Sequence, residues 1–324
     1  MLERAARTVR RRWASTATAV TAAATVVVMA GAVGTAGADP AGPKTAPKTA
    51  PKTGPKTGAI VVDCTRNPTA LQRAIDSAIT KSELKVRGTC IGPFTIDKSL
   101  SLIGDKHAVL DGNFEGPAVT VNGGGSLVLL KKLTITNGAG NAADPAGLGG
   151  GILNNNGNVT LSDSTVRHNT AGSGGGIANN DSNPADAFTA TVNVIRSTVR
   201  HNTATERGGG IFNSNGTVTL SRSTVRHNIA VEGGGIYNDG NTVALADSKV
   251  FRNGATQRGG GLFNNAGTTT LIRSEVERNT AGAGLGSGGG IFEQGGSVTL
   301  NKTKVRQNHP DNCAPAGTVP DCIG

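Results

Sequence analysis

The chain has 324 residues with 32 Lys and Arg against 22 Asp and Glu, a net charge of +10, and 48 glycines. The positive charge resembles a nucleic-acid signal until it is divided by region. Five arginines against Glu3 leave +4 on residues 1–38, four lysines against Asp39 leave +3 on residues 39–58, and about +3 remains for residues 59–324. The bulk of the chain is nearly balanced, so no nucleic-acid partner is expected.

Residues 1–38 read as an export signal. Arg4, Arg7 and Arg10-Arg11-Arg12 form a basic start, an Ala/Val/Thr stretch runs through Val26, Val27 and Val28, and Ala36-Gly37-Ala38 offers small residues for cleavage after Ala38. The alternative is an uncleaved anchor, which would be the one route to membrane contact. Arg10-Arg11 is a weak hint of twin-arginine export.

Residues 39–58 form a linker in which Pro-Lys-Thr starts at Pro43, Pro47, Pro51 and Pro55. With almost nothing apolar to bury, it should stay extended and solvated, reaching about 60 Å in polyproline geometry. It is read as a spacer. A second reading makes it a basic stalk in an anionic cell wall, with Thr45, Thr49, Thr53 and Thr57 as glycan acceptors.

Residues 59–312 should form the folded domain, followed by a tail at 313–324. Four cysteines in an exported chain suggest two disulfides, and Cys64–Cys90 with Cys313–Cys322 is the most local of three pairings. Within Pro68–Ile79, Leu71, Ile75, Ala78 and Ile79 make one apolar helical face, so this segment is expected to cap the end of a stack.

The repeats begin at Gly149. GGGILN, GGGIAN, GGGIFN, GGGIYN, GGGLFN and GGGIFE start at 149, 174, 208, 233, 259 and 288, and most steps are 25 or 26 residues. Such a period signals a solenoid. The segments between are short, rich in Val, Thr and Ile, and alternate with period two, so Val218, Leu220, Ser223 and Val225 share a face. The fold expected is an all-β, right-handed parallel β-helix with a short N-terminal capping helix and about three strands per rung. Gly and Asn are expected at the bends, where positive φ is tolerated. Two Asn columns, one at 154, 179, 213, 238 and 264 and the other at 169, 202, 228, 253, 279 and 308, should stack as amide ladders.

The segment LQRAIDSAITKSELKVRGTCIGPFTIDKSLSLIG, followed by LTITNG, resembles the opening of secreted right-handed β-helix repeat proteins of actinobacteria in the pectin-lyase-like superfamily. The Gly-Gly-Gly-Ile and Val-x-x-Asn phrases are also similar to the GGAI and FxxN repeats of chlamydial polymorphic outer-membrane proteins. The resemblance spans nearly all of 60–308. It implies the fold but not an activity, because the superfamily hosts lyases, hydrolases, esterases and adhesins. Its pectate lyases hold Ca²⁺ on several Asp with a basic Arg, and its polygalacturonases carry clustered Asp with Gly-His-Gly. Here the Asp residues are scattered, Gly-His-Gly is absent, and the glycine phrase holds no Asp for calcium. No cofactor and no metal site is expected.

Outward positions should form columns. Asp163, Arg196, Arg222, Asp247, Arg273 and Lys302 make one, and Lys249, Glu275 and Lys304 another; a third runs Arg167, Arg200, Arg226, Phe251, Glu277 and Arg306. Glu275 and Glu277 could be a catalytic carboxylate pair, but their basic neighbours favour salt bridging. His168, His201 and His227 recur in Arg-His-Asn and read as a solvated basic strip rather than a metal or acidic-ligand site. Phe212, Tyr237, Phe263 and Phe292 follow the core aliphatics, so alternation places them outside. An exposed row of rings would stack on sugars, with Arg200 and Arg226 bonding hydroxyls or carboxylates; the plainer reading is a packing ladder. Taken together, a secreted, cell-envelope-associated protein binding polysaccharide or a surface partner without catalysis is expected. A polysaccharide lyase or glycoside hydrolase is the alternative.

Overall fold

The computed structural model describes residues 60–140, 147–182, 189–282 and 284–322. The expected signal and linker, residues 1–38 and 39–58, lie outside them. The described chain winds as a right-handed parallel β-helix of three stacked sheets, of ten, nine and nine strands, with a further five-stranded sheet outside. One rung shows the plan. Ile211–Ser214 lies in the glycine-phrase sheet, Thr217–Ser221 in the ten-stranded sheet, and Thr224–Arg226 in the third sheet; Ile229–Glu232 then runs in the outer sheet before Gly233 starts the next rung.

Strand pairing keeps the repeat in register. Thr217, Val218 and Leu220 face Thr242, Val243 and Leu245, while Ile211 faces Ile236. Val218, Leu220, Val225 and Ile236 are all fully or almost fully buried in one core that runs the length of the coil. This is why alternation is so regular: a slip of one residue would turn the aliphatics outward.

The bends follow the expectation in part: the first glycine of each phrase and Asn156, Asn215 and Asn241 sit at positive φ, whereas two other corners are built differently. Both expected Asn columns do form hydrogen-bonded ladders: Asn169, Asn202, Asn228, Asn253, Asn279 and Asn308 each pass an Nδ2–H to the next amide oxygen at 3.0–3.1 Å, ending on Asn312. The second ladder links Asn154, Asn179, Asn213, Asn238 and Asn264 at 2.8–3.0 Å. Yet the ladder amides are not where φ is positive. At two corners that conformation falls on the residue before the ladder, namely Asp163, Arg196, Arg222, Asp247, Arg273 and Lys302 at one, and His168, His201, His227, Arg252, Arg278 and Gln307 at the other. A left-handed non-glycine residue costs roughly 1–2 kcal/mol. Here it lets the next side chain turn inward, where Ser164, Ser197, Ser223, Ser248 and Ser274 form a third ladder, each accepting a backbone N–H from the rung before at 3.0–3.2 Å.

The glycine phrase answers to close approach. Gly233 sits at φ +62°, and an added Cβ on Gly234 would lie 2.2 Å from the Gly254 carbonyl oxygen, so no other residue fits there.

The ends are capped. The helix is shorter than Pro68–Ile79, running Ala70–Ser77 with Leu71 and Ile75 buried over the first rungs. Ala78 turns to extended geometry (ψ 137°), so Ile79 leaves the apolar face and is 75% exposed. Gln72 ties the helix to Thr95, accepting its N–H at 2.9 Å and donating to its carbonyl at 3.1 Å. Cys64 is bridged to Cys90 (Cα–Cα 5.1 Å) and Cys313 to Cys322 (6.2 Å). Beside the second bridge, Val319 joins the core and covers the last rung.

Candidate ligand-binding surface

The aromatic column does not form an exposed platform. Phe212, Tyr237, Phe263 and Phe292 point away from the coil interior, as alternation requires, but they are only 0–6% exposed and form a second buried cluster with Ala178 and Ala314. Successive ring centroids are 5.8, 4.7 and 5.0 Å apart. The cover comes from the outer-sheet arm of each rung. The arm turns back at the first glycine of the phrase, whose added Cβ would touch Tyr237 Cβ at 2.8 Å from Gly233. Arg207 lies over Tyr237 at 5.4 Å, and Arg258 over Phe263 and Phe292 at 5.4 and 5.0 Å. Glu232 anchors Arg258 at 2.6 Å. Burial pushes the Tyr237 phenol up to about 12. Rings so covered stabilise the fold and cannot stack on a sugar.

The arginines of the third sheet are half-buried by contrast, their side chains still partly accessible. Arg167, Arg200 and Arg226 stand opposite one another on Thr165–Arg167, Thr198–Arg200 and Thr224–Arg226. Parallel strands place such neighbours about 4.8 Å apart. Each donates from Nη1 to Nδ1 of the histidine that follows it, at 2.9 Å to His168 and 3.0 Å to His201 and His227. A guanidinium can only donate, so each Nδ1 must be unprotonated and each neutral ring carries its proton on Nε2. His201 and His227 stack with centroids 5.0 Å apart, and His168 lies tilted by 40° against His201 at 5.5 Å. Burial first, then the neighbouring arginines, holds all three imidazoles below their ordinary 6.5. Burial, then Arg226 and Arg167, also lowers Arg200 from 12.5.

Among the described residues, no ion pair involves Arg167, Arg200, Arg226, Arg252 or Arg278. Elsewhere the charges do pair. Arg196 meets Asp163 at 2.7 Å and Arg273 meets Asp247 at 2.7 Å, so the first outward column holds two cross-rung salt bridges, while its Arg222 and Lys302 form no ion pair among the described residues. Glu275 is held by Lys249 at 2.8 Å and Glu277 by Arg306 at 3.0 Å, which takes both carboxylates out of a catalytic pair. Among the described residues no group of three or more His, Cys, Asp or Glu is placed to hold a metal ion. The histidines lie in a row with each Nδ1 occupied by an arginine, so they do not converge on one point.

Sequence reasoning found Arg200 and Arg226 but gave the leading part to the rings. The signal for the strip was the dipeptide: Arg-His recurs three times, and adjacent residues at a bend can meet. Arg252 and Arg278 extend the histidine column and belong to the same surface.

Neither a family model nor a curated protein sequence matches the chain. Among solved structures, pectate lyase Pel9A is similar over 75% of this chain and 76% of that one, at 14% identity and a TM-score of 0.45. Escherichia coli ybhc is similar over 79% and 74%, at 10% identity and a TM-score of 0.38. Neither likeness bears on activity.

Proposed function

We propose that the protein is secreted, remains associated with the cell envelope, and binds an acidic linear polysaccharide along the column Arg167–Arg200–Arg226 without catalysing its cleavage. The observation that carries this reading is three arginines in register on three rungs with no carboxylate partner among the described residues. Like charges directly opposite on a sheet are destabilising. A polymer with anionic groups along its length would relieve them all at once, bidentate contacts adding direction.

Two disulfides support an oxidising compartment, and the layout of an export signal (1–38), spacer (39–58), coil (59–312) and tail (313–324) fits that reading. The spacer would hold the coil away from the membrane, among wall polymers. A glycosidase would need a pair of carboxylates free to act; Glu275 and Glu277 are already paired.

The test is retention of the exported chain on immobilised polygalacturonate, heparin and neutral xylan. Retention on the acidic polymers, falling steeply with salt, is expected, with at least about tenfold weaker binding after Arg200→Ala and Arg226→Ala together. Equal retention on xylan, or a double variant that binds unchanged, would overturn the reading.

A further inference from the structure

Beyond the strip lies a hollow of about 460 Å³ whose walls include His201, His227, Ile229, Arg252, Gly254 and Arg278. Its floor opens because one column changes residue. The first position of the outer sheet runs Thr170, Thr203, Ile229, Gly254, Thr280, and Gly254 is the only one of these without a side chain. The backbone does not require this glycine. Its φ lies outside the left-handed region, and an added Cβ would meet nothing closer than Thr280 Oγ1 at 3.6 Å, an ordinary contact. The glycines of the repeated phrase are enforced by neighbouring backbone; this one leaves space that the fold does not use.

The walls specify what the space would take. Arg252 and Arg278 occupy the same corner position one rung apart, both at positive φ, and no carboxylate among the described residues pairs with either. Arg278 donates Nε to Gln307 at 3.0 Å, which fixes its plane while its Nη groups remain for another acceptor. His227 has its Nδ1 engaged by Arg226 and so presents an Nε2–H donor. Ile229 is 53% exposed, an apolar wall that a bare inorganic anion would not contact. A charged acceptor flanked by an apolar ring face satisfies all four.

We infer that this hollow is a discrete subsite for one anionic sugar residue, its carboxylate or sulfate held between Arg252 and Arg278 and its C–H face laid on Ile229. The site rests on the acidic-polysaccharide reading and deepens it: the arginine column holds the chain of the polymer, and the hollow seats one particular residue. Its size is in the usual range for a small-ligand site, and polar groups fixing orientation against an apolar wall are the usual composition of such sites.

The experiment fills the hollow instead of stripping it. Gly254→Thr installs the residue that three of the other four rungs carry at this position, Thr170, Thr203 and Thr280, so melting should be unchanged. Trigalacturonate, a sulfated chondroitin disaccharide and sodium sulfate serve as probes of the full exported chain, with polygalacturonate as the polymer control. Gly254→Thr should weaken binding of the charged oligosaccharide by at least about tenfold, and polygalacturonate by no more than about threefold. Arg252→Ala with Arg278→Ala should repeat the first loss. Whichever oligosaccharide binds tighter to the native chain identifies the charged group as carboxylate or sulfate. Unchanged oligosaccharide binding in Gly254→Thr, or sodium sulfate binding as tightly as either sugar, would overturn the subsite while leaving the strip standing. Failure of polygalacturonate to bind the native chain would remove both.

Discussion

Two outward columns, one sheet apart, obey the same repeat and meet opposite fates. The rings at 212, 237, 263 and 292 and the arginines at 167, 200 and 226 both point away from the coil, yet the rings are buried and the arginines are only half-buried. Alternation decides which side of the sheet a residue faces. It says nothing about what lies on that side. The outer-sheet arm folds over the rings of the glycine-phrase sheet and leaves the arginines of the third sheet partly accessible, and this single difference separates packing from a ligand surface.

The comparison breaks most visibly if the rings are truncated. Phe263→Ala should destabilise the protein by about 3–5 kcal/mol, the cost of emptying a fully buried aromatic position, measured by urea unfolding. A shift under about 1 kcal/mol would mean that the arm closes over nothing and the rings are free.

Asn228→Leu should follow, at about 3 kcal/mol. It removes the oxygen that accepts from the Asn202 backbone N–H and Nδ2, both at 3.0 Å, and each buried group left unpaired costs roughly 1–3 kcal/mol. Arg226→Ala, two residues away on the open face, should change stability by no more than about 0.5 kcal/mol. Equal shifts for the two would show that the ladder does not carry the bend.

A sharper version inserts a charge. Arg200→Glu would set a carboxylate between Arg167 and Arg226, which face position 200 from the two adjoining rungs. Stability should rise by a few tenths of a kcal/mol as repulsion becomes attraction, while retention on polygalacturonate is lost. A variant that binds the polymer normally would mean the column has no part in recognition.

The smallest effect expected is with pH. His168, His201 and His227 titrate below 6.5 because burial, then the adjacent arginines, disfavours the cation. The unfolded chain therefore takes up these protons first, and stability without ligand should fall as pH drops through 6.5 toward the lower folded values. A bound polyanion favours the imidazolium, so affinity should rise over the same window. Affinity flat between pH 7.5 and 5.5 would take the histidines out of the interface.

The coil, its two Asn ladders and the cap were legible because each is written in a spacing: the glycine phrase, the amide three residues after Val, the i, i+4 pair Leu71 and Ile75. The fourth strand was not. Thr203–Arg207 reads TATER, which has no apolar alternation, and its place is set by neighbours in other rungs. The positive φ of His201 and Arg222 was hidden for a related reason. Arginine carries no turn signature and histidine only a weak one, and their conformation follows from the Asn or Ser that comes next and must point inward. Burial of the rings depended on both of these, so it could not be read from the ring positions alone.

The Asn ladder has a further consequence. Every amide hands its hydrogen to the following rung, from Asn169 through to Asn312, so each rung offers the same donor at one edge and the same acceptor at the other. A duplicated segment of 25 or 26 residues, phrase to phrase, would therefore insert without a seam. If the copied rung carried Arg-His-Asn, it would also lengthen the arginine column by one position, and the grip on a long polyanion would grow by gene duplication alone, with no new contact to invent.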